Sequence, residues 1–114
     1  MTATGPILRI FEVQSKPGCA PTLLEKFATT SAAVVKDEPG NGGYFFGQLV
    51  ASDKDGVMFV SIWKDMAAVQ EKFGADWQVS YLPEGYEDLI ETCSVRHLAL
   101  NGQWHADLTA ILPT

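Results

Sequence analysis

The 114-residue sequence contains few basic residues, and this shortage excludes one broad class of partner. Eight Lys and Arg stand against fourteen Asp and Glu, so the formal net charge is −6. Proteins bind nucleic acids largely through phosphate contacts from Lys and Arg, so we expect no nucleic-acid partner. A net negative charge keeps a protein soluble, and we infer no further function from it.

Long apolar segments are also missing. No hydrophobic run approaches the roughly 20 residues that cross a bilayer. The first residues, MTATGPILRIFEV, contain neither the basic region nor the apolar core of a cleavable signal peptide. We therefore expect a cytoplasmic protein without membrane contact, organised as one domain over residues 1–114.

Residues that bind metals or phosphates are sparse. Cys19 and Cys93 lack metal-ligand spacing, and they are either free thiols, which we favour, or a disulfide. His97 and His105 have no carboxylate cluster near them in sequence. The glycines within residues 40–43 follow a predicted helix, which is the wrong order for a phosphate-binding loop. We expect no metal, nucleotide or flavin cofactor.

The segment over residues 56–74, GVMFVSIWKDMAAVQEKFG, is the most informative part of the sequence. Its first eight residues are largely apolar on both alternating faces, which predicts a strand covered on both sides. The period then changes to about 3.6, and Met66, Val69 and Phe73 form one helical stripe. Asp65 is typical of the residue that caps the start of a helix, and Gly74 of the residue that ends one.

The other elements complete a βαββαβ order. We predict strands over residues 7–15, 44–51, 56–63 and 92–100, helices over 22–37 and 66–73, and one or two helical turns over 84–90. This order predicts an α+β, ferredoxin-like fold with a core over residues 7–100, in which a four-stranded antiparallel sheet carries helices on one face.

The opposite face of this sheet is predicted to be too apolar for water. Residues such as Ile10, Phe45 and Leu49 would lie there, and packing against a second copy would cover them. We therefore expect a homodimer. The C-terminal tail over residues 101–114 carries four more large apolar side chains, and it packs either on the partner subunit, which we favour, or on its own chain.

The sequence resembles the antibiotic biosynthesis monooxygenase (ABM-like) domains, which form dimeric α/β barrels. The resemblance rests on ILRIFEVQSKPG, on LLEKFATTSAAVVKDEPGNGGYFF and above all on MFVSIWKDMAAVQEKFG, and it covers about residues 7–100. Members range from cofactor-free oxygenases of polycyclic phenols through quinol oxidases and haem-degrading enzymes to proteins without assigned activity. Fold likeness alone therefore does not identify the reaction.

Haem-degrading relatives use an Asn on the first strand, a Trp in the second helix and a His on the following helix. Here the first strand offers Glu12 and Gln14, and Lys72 and Phe73 stand near the expected Trp. The segment VSYLPEGYED contains no His. Haem degradation is therefore not expected.

Cofactor-free oxygenation requires a dry aromatic pocket, a proton acceptor and stabilisation of a developing anion. We predict His97, Trp63 and Arg96 as catalytic residues, since His97 suits proton transfer near neutral pH and Arg96, like Arg9, could hold an oxyanion. The predicted substrate-binding residues are Tyr44, Phe46, Phe73, Trp77 and Tyr81.

Each catalytic candidate has a structural alternative. Trp63 could be core packing, His97 a hydrogen-bonded core residue, and the two arginines could pair with carboxylates such as Glu12. The sequence thus predicts a cofactor-independent monooxygenase acting on a small aromatic, quinol or polyketide-like substrate in an apolar pocket. The alternative is a non-catalytic small-molecule-binding or stress-related module on the same dimeric scaffold.

Overall fold

The computed structural model describes residues 5–50, 55–101, 105 and 107–110. The strands are β1 (Ile7–Ser15), β2 (Asn41–Gln48), β3 (Gly56–Trp63) and β4 (Ile90–Ala99). Helix α1 covers residues 20–35 as three consecutive segments, Ala20–Lys26, Phe27–Ser31 and Ala32–Val35, of which the middle one is a π turn. Helix α2 is Met66–Phe73, and short 3₁₀ turns lie at Gly74–Asp76, Glu87–Leu89 and Leu108–Ala110.

The sheet order is β2-β3-β1-β4, and each neighbouring pair is antiparallel. The ferredoxin-like prediction is therefore confirmed. Helix α1 begins at Ala20 rather than Thr22, because Pro21 fits the first helical turn, where its missing N–H costs nothing. Strand β2 begins at Asn41 and β4 at Ile90, before their predicted starts. Helix α2 is capped by Asp65, whose carboxylate accepts the N–H of Ala68 at 2.8 Å, as predicted.

The core lies between the sheet and α1. Alternate residues of β1 and β3 point toward the helices, and they include the fully buried Ile7 and Trp63. Helix α1 contributes Leu23 and Phe27, which are completely buried against them. Burial of each such side chain stabilises the fold by roughly 1.5–3 kcal/mol, so this layer fixes how the helix sits over the sheet.

The other face of the sheet carries apolar side chains, as predicted. Ile10 and Phe45 lie on it, and Phe45 is 53% exposed and Leu98 of β4 is 49% exposed in the single chain. The tail that we expect to pack nearby lies mostly outside the described residues. In the described part of the chain, no helix is long and apolar enough to cross a membrane, and Cys19 and Cys93 are free thiols, as favoured.

Candidate functional site

A row of polar residues crosses the helix-facing side of the sheet. The strand register places Arg9 of β1 opposite Ser61 of β3 on one side and opposite His97 of β4 on the other, and Ser61 opposite Tyr44 of β2. The next row consists of Phe46, Phe59, Phe11 and Val95. The row that contains Arg9 is therefore a band of polar groups on an otherwise apolar surface.

Helix α1, the end of α2 and the segment that follows α2 enclose a cavity above this row. We call it the inner cavity; its volume is about 40 Å³. Its lining residues are Arg9, Phe11, Ser31, Val34, Val35, Phe59, Ser61, Phe73, Tyr81 and Pro83. Because a cavity that holds a benzene ring measures about 150 Å³, the inner cavity admits only one edge of an aromatic ring.

A larger outer recess of about 360 Å³ adjoins the inner cavity. The two share three lining residues, Val34, Phe73 and Tyr81. The rings of Phe73 and Tyr81 lie 6.4 Å apart, and Tyr81 is 55% exposed. A ligand whose edge enters the inner cavity therefore has room for its body in the recess, next to these two rings.

Arg9 is the only arginine in the inner cavity wall, and it is buried to 5% exposure. Its Nη1 donates to the carbonyl oxygen of Trp77, and its Nη2 donates to that of Val79 at 3.2 Å. The guanidinium carbon lies 3.8 Å from the ring centroid of Phe73, a cation–π contact. Burial lowers the pKa of Arg9 from its usual range to about 10, so the side chain stays charged at neutral pH.

No carboxylate among the described residues pairs with Arg9. The ion pairs in the described part of the chain join Lys72 to Glu38 at 2.9 Å and Arg96 to Glu12 at 3.3 Å. A buried cation is costly unless it is paired, and carbonyl oxygens compensate only part of its charge. The inner cavity therefore has a net positive wall that favours an anionic ligand.

His97 lies beside Arg9, away from the cavity lining. Its Nε2 is 3.1 Å from Arg9 Nη1, and its ring packs edge-on against Trp77 with centroids 5.1 Å apart. Burial, and then the positive charge of Arg9, lowers the pKa of His97 from 6.5 to about 4. Since a guanidinium only donates, the neutral imidazole accepts at Nε2 and carries its proton on Nδ1.

Two buried serines supply further polar groups to the inner cavity. Ser61 accepts the indole N–H of Trp63 at 2.8 Å. Ser31 on the π turn of α1 lies 2.6 Å from the phenol oxygen of Tyr86, which also donates to the carbonyl oxygen of Lys26 at 3.1 Å. Tyr86 is completely buried, and burial raises the pKa of its phenol.

The predicted binding residues divide into two groups. Phe73 and Tyr81 line the inner cavity, and Trp77 supplies the carbonyl that holds Arg9. Tyr44 and Phe46 lie on β2, where their rings stack on Phe59 at 5.7 Å and 6.2 Å and do not reach the cavity lining.

The predicted catalytic residues are not brought together. The prediction that Arg96 lies in the site with His97 is wrong. Neighbouring strand residues point to opposite faces of a sheet, and Arg96 pairs with Glu12 on the face away from the helices. Trp63 is completely buried behind two residues that line the cavity: its indole donates to Ser61, and its ring lies edge-on to that of Phe73 at 5.7 Å. For Arg9, the expected carboxylate partner is absent among the described residues.

Sequence reasoning missed Ser31 and Ser61 as site residues. Both are small polar residues on faces that are otherwise apolar, Ser31 on the buried stripe of α1 and Ser61 among the inward residues of β3. That interruption of an apolar face was the available signal. Arg9 gave the same signal on β1, where Ile7, Phe11 and Val13 share its face.

Comparison with known proteins identifies related sequences and folds. The family model described as antibiotic biosynthesis monooxygenase matches residues 6–75. No curated protein matches the sequence significantly.

Several solved structures share the fold at low sequence identity. A protein from Pseudomonas aeruginosa is 19% identical with a TM-score of 0.66, covering 90% of this chain and all of its own. SnoaB, a cofactor-independent oxygenase from Streptomyces nogalater, is 13% identical with a TM-score of 0.63, covering 87% of this chain and 96% of its own. A MhuD mutant with two manganese protoporphyrin IX groups bound per active site is 17% identical with a TM-score of 0.66, covering 88% and 99%. Identities this low establish the fold alone.

Proposed function

The chain belongs to the antibiotic biosynthesis monooxygenase family, and on that premise we propose that it is a cofactor-independent monooxygenase of an electron-rich aromatic substrate bound as an anion. The observation that carries the proposal is Arg9, a buried cation without a described carboxylate partner in the wall of an apolar cavity. Small aromatic, quinol and polyketide-like compounds with an ionisable phenol or enol fit this wall.

The first step is ionisation of the substrate. An opposite charge within about 4–6 Å lowers the pKa of an acid by roughly 1–3 units, so a phenol oxygen placed at Arg9 loses its proton more readily than in water. No carboxylate and no histidine is among the described residues that line the inner cavity. The proton of the phenol held at Arg9 therefore leaves to water through the outer recess, and the phenolate stays in the inner cavity.

The second step is electron transfer to dioxygen. The phenolate passes one electron to O₂, which gives a substrate radical and superoxide beside the same cation. Their combination forms a peroxide anion at a ring carbon that bears one hydrogen. This anion takes a proton from water, and elimination of a water molecule with loss of that hydrogen leaves a carbonyl there. One oxygen atom enters the product and the other leaves as water. Arg9 stabilises the negative charge through both transfers.

The neighbouring residues then have supporting roles. His97 accepts from Arg9 and, with the carbonyls of Trp77 and Val79, fixes the direction of the guanidinium. We assign His97 a positioning role, since its Nε2 faces Arg9 and not the cavity. Phe73 and Tyr81 provide the aromatic walls.

Haem chemistry fits these residues poorly. The described residues contain no cluster of three or more His, Cys, Asp or Glu that could hold a metal ion. His97, the histidine near the site, directs Nε2 at a guanidinium 3.1 Å away, so it could ligate iron only after Arg9 moved. The haem seen in the MhuD mutant is therefore not proposed for this chain.

A homodimer is part of the proposal. Phe45 and Leu98 expose half of their surface on the sheet face away from the helices, and a second copy packed there would remove this apolar area from water. The inner cavity lies on the other side of the sheet, so each subunit keeps its own site.

Oxygen uptake with a panel of hydroquinones and anthrones, with mass spectrometry of the products, tests the activity. The wild type should consume O₂ and add one oxygen atom to at least one compound. Arg9→Met should lower kcat/KM by about a hundredfold. Arg96→Met, which removes an arginine from the opposite face, should leave kcat/KM within about twofold while sedimentation shows the same oligomer. Equal loss in both variants would contradict the assignment of Arg9.

The alternative is a non-catalytic binding module on the same scaffold. It is favoured by one observation: the described residues that line the inner cavity include no carboxylate and no histidine to accept a proton. Such a module would bind phenolates through Arg9 and quench Trp fluorescence without consuming O₂. Binding without uptake across the whole panel would establish this reading in place of the oxygenase.

A further inference from the structure

We propose that Tyr86 and Ser31 fix the direction of one hydrogen bond in the inner cavity, so that the site selects a ligand with one ionised and one protonated oxygen. The ionised oxygen faces Arg9 and Ser61, and the protonated hydroxyl donates to Ser31. The ligand class is a singly ionised dihydroxyarene or the equivalent enol. The inference rests on the proposed function only in taking the anion at Arg9 as the reacting oxygen.

The direction of the bond follows from counting protons on Tyr86. Its phenol carries one proton, and its two partners are the carbonyl oxygen of Lys26 at 3.1 Å and Ser31 Oγ at 2.6 Å. A carbonyl oxygen only accepts, so Tyr86 donates to Lys26. The hydroxyl of Ser31 must then donate to Tyr86, since the pair has no other proton to share.

Ser31 is therefore an acceptor toward the cavity. It is 8% exposed and lines the inner cavity. With its proton held by Tyr86, its oxygen offers only lone pairs to a ligand. A ligand hydroxyl satisfies these lone pairs, whereas a carbonyl, an ether or a carboxylate oxygen there would meet another acceptor.

Ser61 offers the inner cavity a hydrogen-bond donor, whereas Ser31 offers an acceptor. Ser61 is 2% exposed, and the indole of Trp63 already donates to its oxygen at 2.8 Å. Among the described residues, no acceptor takes the proton of Ser61, so this hydroxyl is free to donate into the cavity. Arg9, directly across from Ser61 in the strand register, also only donates. One part of the cavity wall therefore consists of two donors, Ser61 and the positively charged Arg9. Another part consists of one acceptor, Ser31.

The separation of donors at Arg9 and Ser61 from the acceptor at Ser31 restricts the ligand more than the positive charge alone would. A fully oxidised quinone has two acceptor oxygens and leaves Ser31 without a donor. A phenol with one oxygen satisfies Arg9 but supplies no donor to the lone pairs of Ser31. Leaving a buried polar group without a partner weakens binding by about tenfold or more, so the second hydroxyl should decide which phenolates are held.

Redox-stable probes measure this selectivity apart from turnover. The probes are 4-nitrocatechol, 4-nitroresorcinol and nitrohydroquinone, their mono-O-methyl ethers, and 4-nitrophenol, which lacks the second oxygen. The nitro group makes the first ionisation accessible near neutral pH, and the three isomers span different separations of the two oxygens. Affinities are measured by absorbance titration or calorimetry with the full chain.

The wild type should bind at least one diol monoanion about tenfold or more tightly than both its methyl ether and 4-nitrophenol. Tyr86→Phe frees the proton of Ser31, which can then donate or accept, so the preference for the diol over the ether should fall below about threefold. Ser31→Ala should lose the preference as well, and it serves if Tyr86→Phe does not fold. Ser15→Ala is the matched control, because Ser15 is equally buried but bonds the carbonyl of Asp55 outside the site; it should keep the wild-type preference.

Three results would overturn the inference: no probe binds at millimolar concentration, the diol and its ether bind equally to the wild type, or folded Ser31→Ala retains the full preference. A protein that shows the preference but consumes no O₂ contradicts the proposed oxygenase and leaves this inference standing. Oxygen uptake without any preference for the diol contradicts this inference alone.

Discussion

Replacing Arg9 with methionine should move the pKa of a phenol bound in the inner cavity. Methionine keeps the unbranched apolar stem of the side chain while removing the charged guanidinium. Two unit charges about 4 Å apart interact by about 4 kcal/mol at an effective dielectric constant near 20, which corresponds to about 3 pKa units. Burial of the phenolate raises this pKa in both proteins and cancels in the comparison. An opposite charge at this distance lowers the pKa of an acid by roughly 1–3 units in proteins, so we expect the bound phenol of the wild type to titrate that much lower than in Arg9→Met.

The assay is a spectroscopic pH titration of 4-nitrophenol with saturating protein, since only the phenolate absorbs near 400 nm. The useful window is about pH 5–9, because the pKa of His97 lies near 4 and that of Arg9 near 10. Arg96→Met, on the opposite face, should titrate like the wild type. If the ligand bound to Arg9→Met ionises at the wild-type pH, the cation does not act on the ligand and the reasoning is wrong.

The folding stability of Arg9→Met should be close to that of the wild type, and this can be checked alongside the titration. The variant loses the hydrogen bonds to the carbonyls of Trp77 and Val79 and to Nε2 of His97, at about 1.5–3 kcal/mol each for a charged donor. It also avoids the desolvation of a buried charge, which costs several kcal/mol. The two contributions nearly cancel, so urea unfolding should show a change of within about 2 kcal/mol. A small change in the free energy of unfolding would indicate that Arg9 serves ligand binding rather than the stability of the fold.

Two further predictions concern stability at low pH and assembly. His97 is harder to protonate in the folded state than when unfolded, so the unfolded state binds more protons between about pH 4 and 6.5. Stability should therefore fall as the pH is lowered through that range and be constant above it; His97→Gln should flatten this dependence in urea titrations, and an unchanged slope would exclude His97 as its cause. Phe45→Asp should convert the proposed dimer to a monomer in sedimentation velocity, because it places a charge on the exposed apolar face; a monomeric wild type would refute that interface.

The strands were predictable because their patterns are local. Residues 56–63 alternate two apolar faces, and Asp65 and Gly74 stand at the ends of α2 as helix caps do. Alternation also placed Arg9 among inward apolar residues of β1. It does not, however, determine which residues of other strands stand beside it. The row that joins Arg9 to Ser61 and His97 depends on the register between strands, and that register is set by packing across the whole sheet.

The sequence was sufficient to exclude Arg96 from the site of His97. It was not sufficient to predict the role of Ser31. His97 and Arg96 are neighbours on one strand, so their side chains necessarily point to opposite faces. Ser31 lies on the apolar stripe of α1, but its proposed function depends on Tyr86, which is 55 positions away in the sequence. No periodicity connects such a pair, since the segment around Tyr86 is irregular and its position follows from the packing of its ring against Phe27 at 6.5 Å.

The π turn in α1 has a consequence for how the inner cavity of this protein could change. The N–H of Ala32 bonds to the carbonyl of Phe27, five residues back, so this turn contains one residue more than an α-helical turn. Both Ser31 and Ala32 are buried as a result, although they are adjacent. Deletion of a single codon here would restore an ordinary helix and rotate the hydroxyl of Ser31 away from the inner cavity. Ligand preference could thus change during evolution through one small indel, without any change to the sheet.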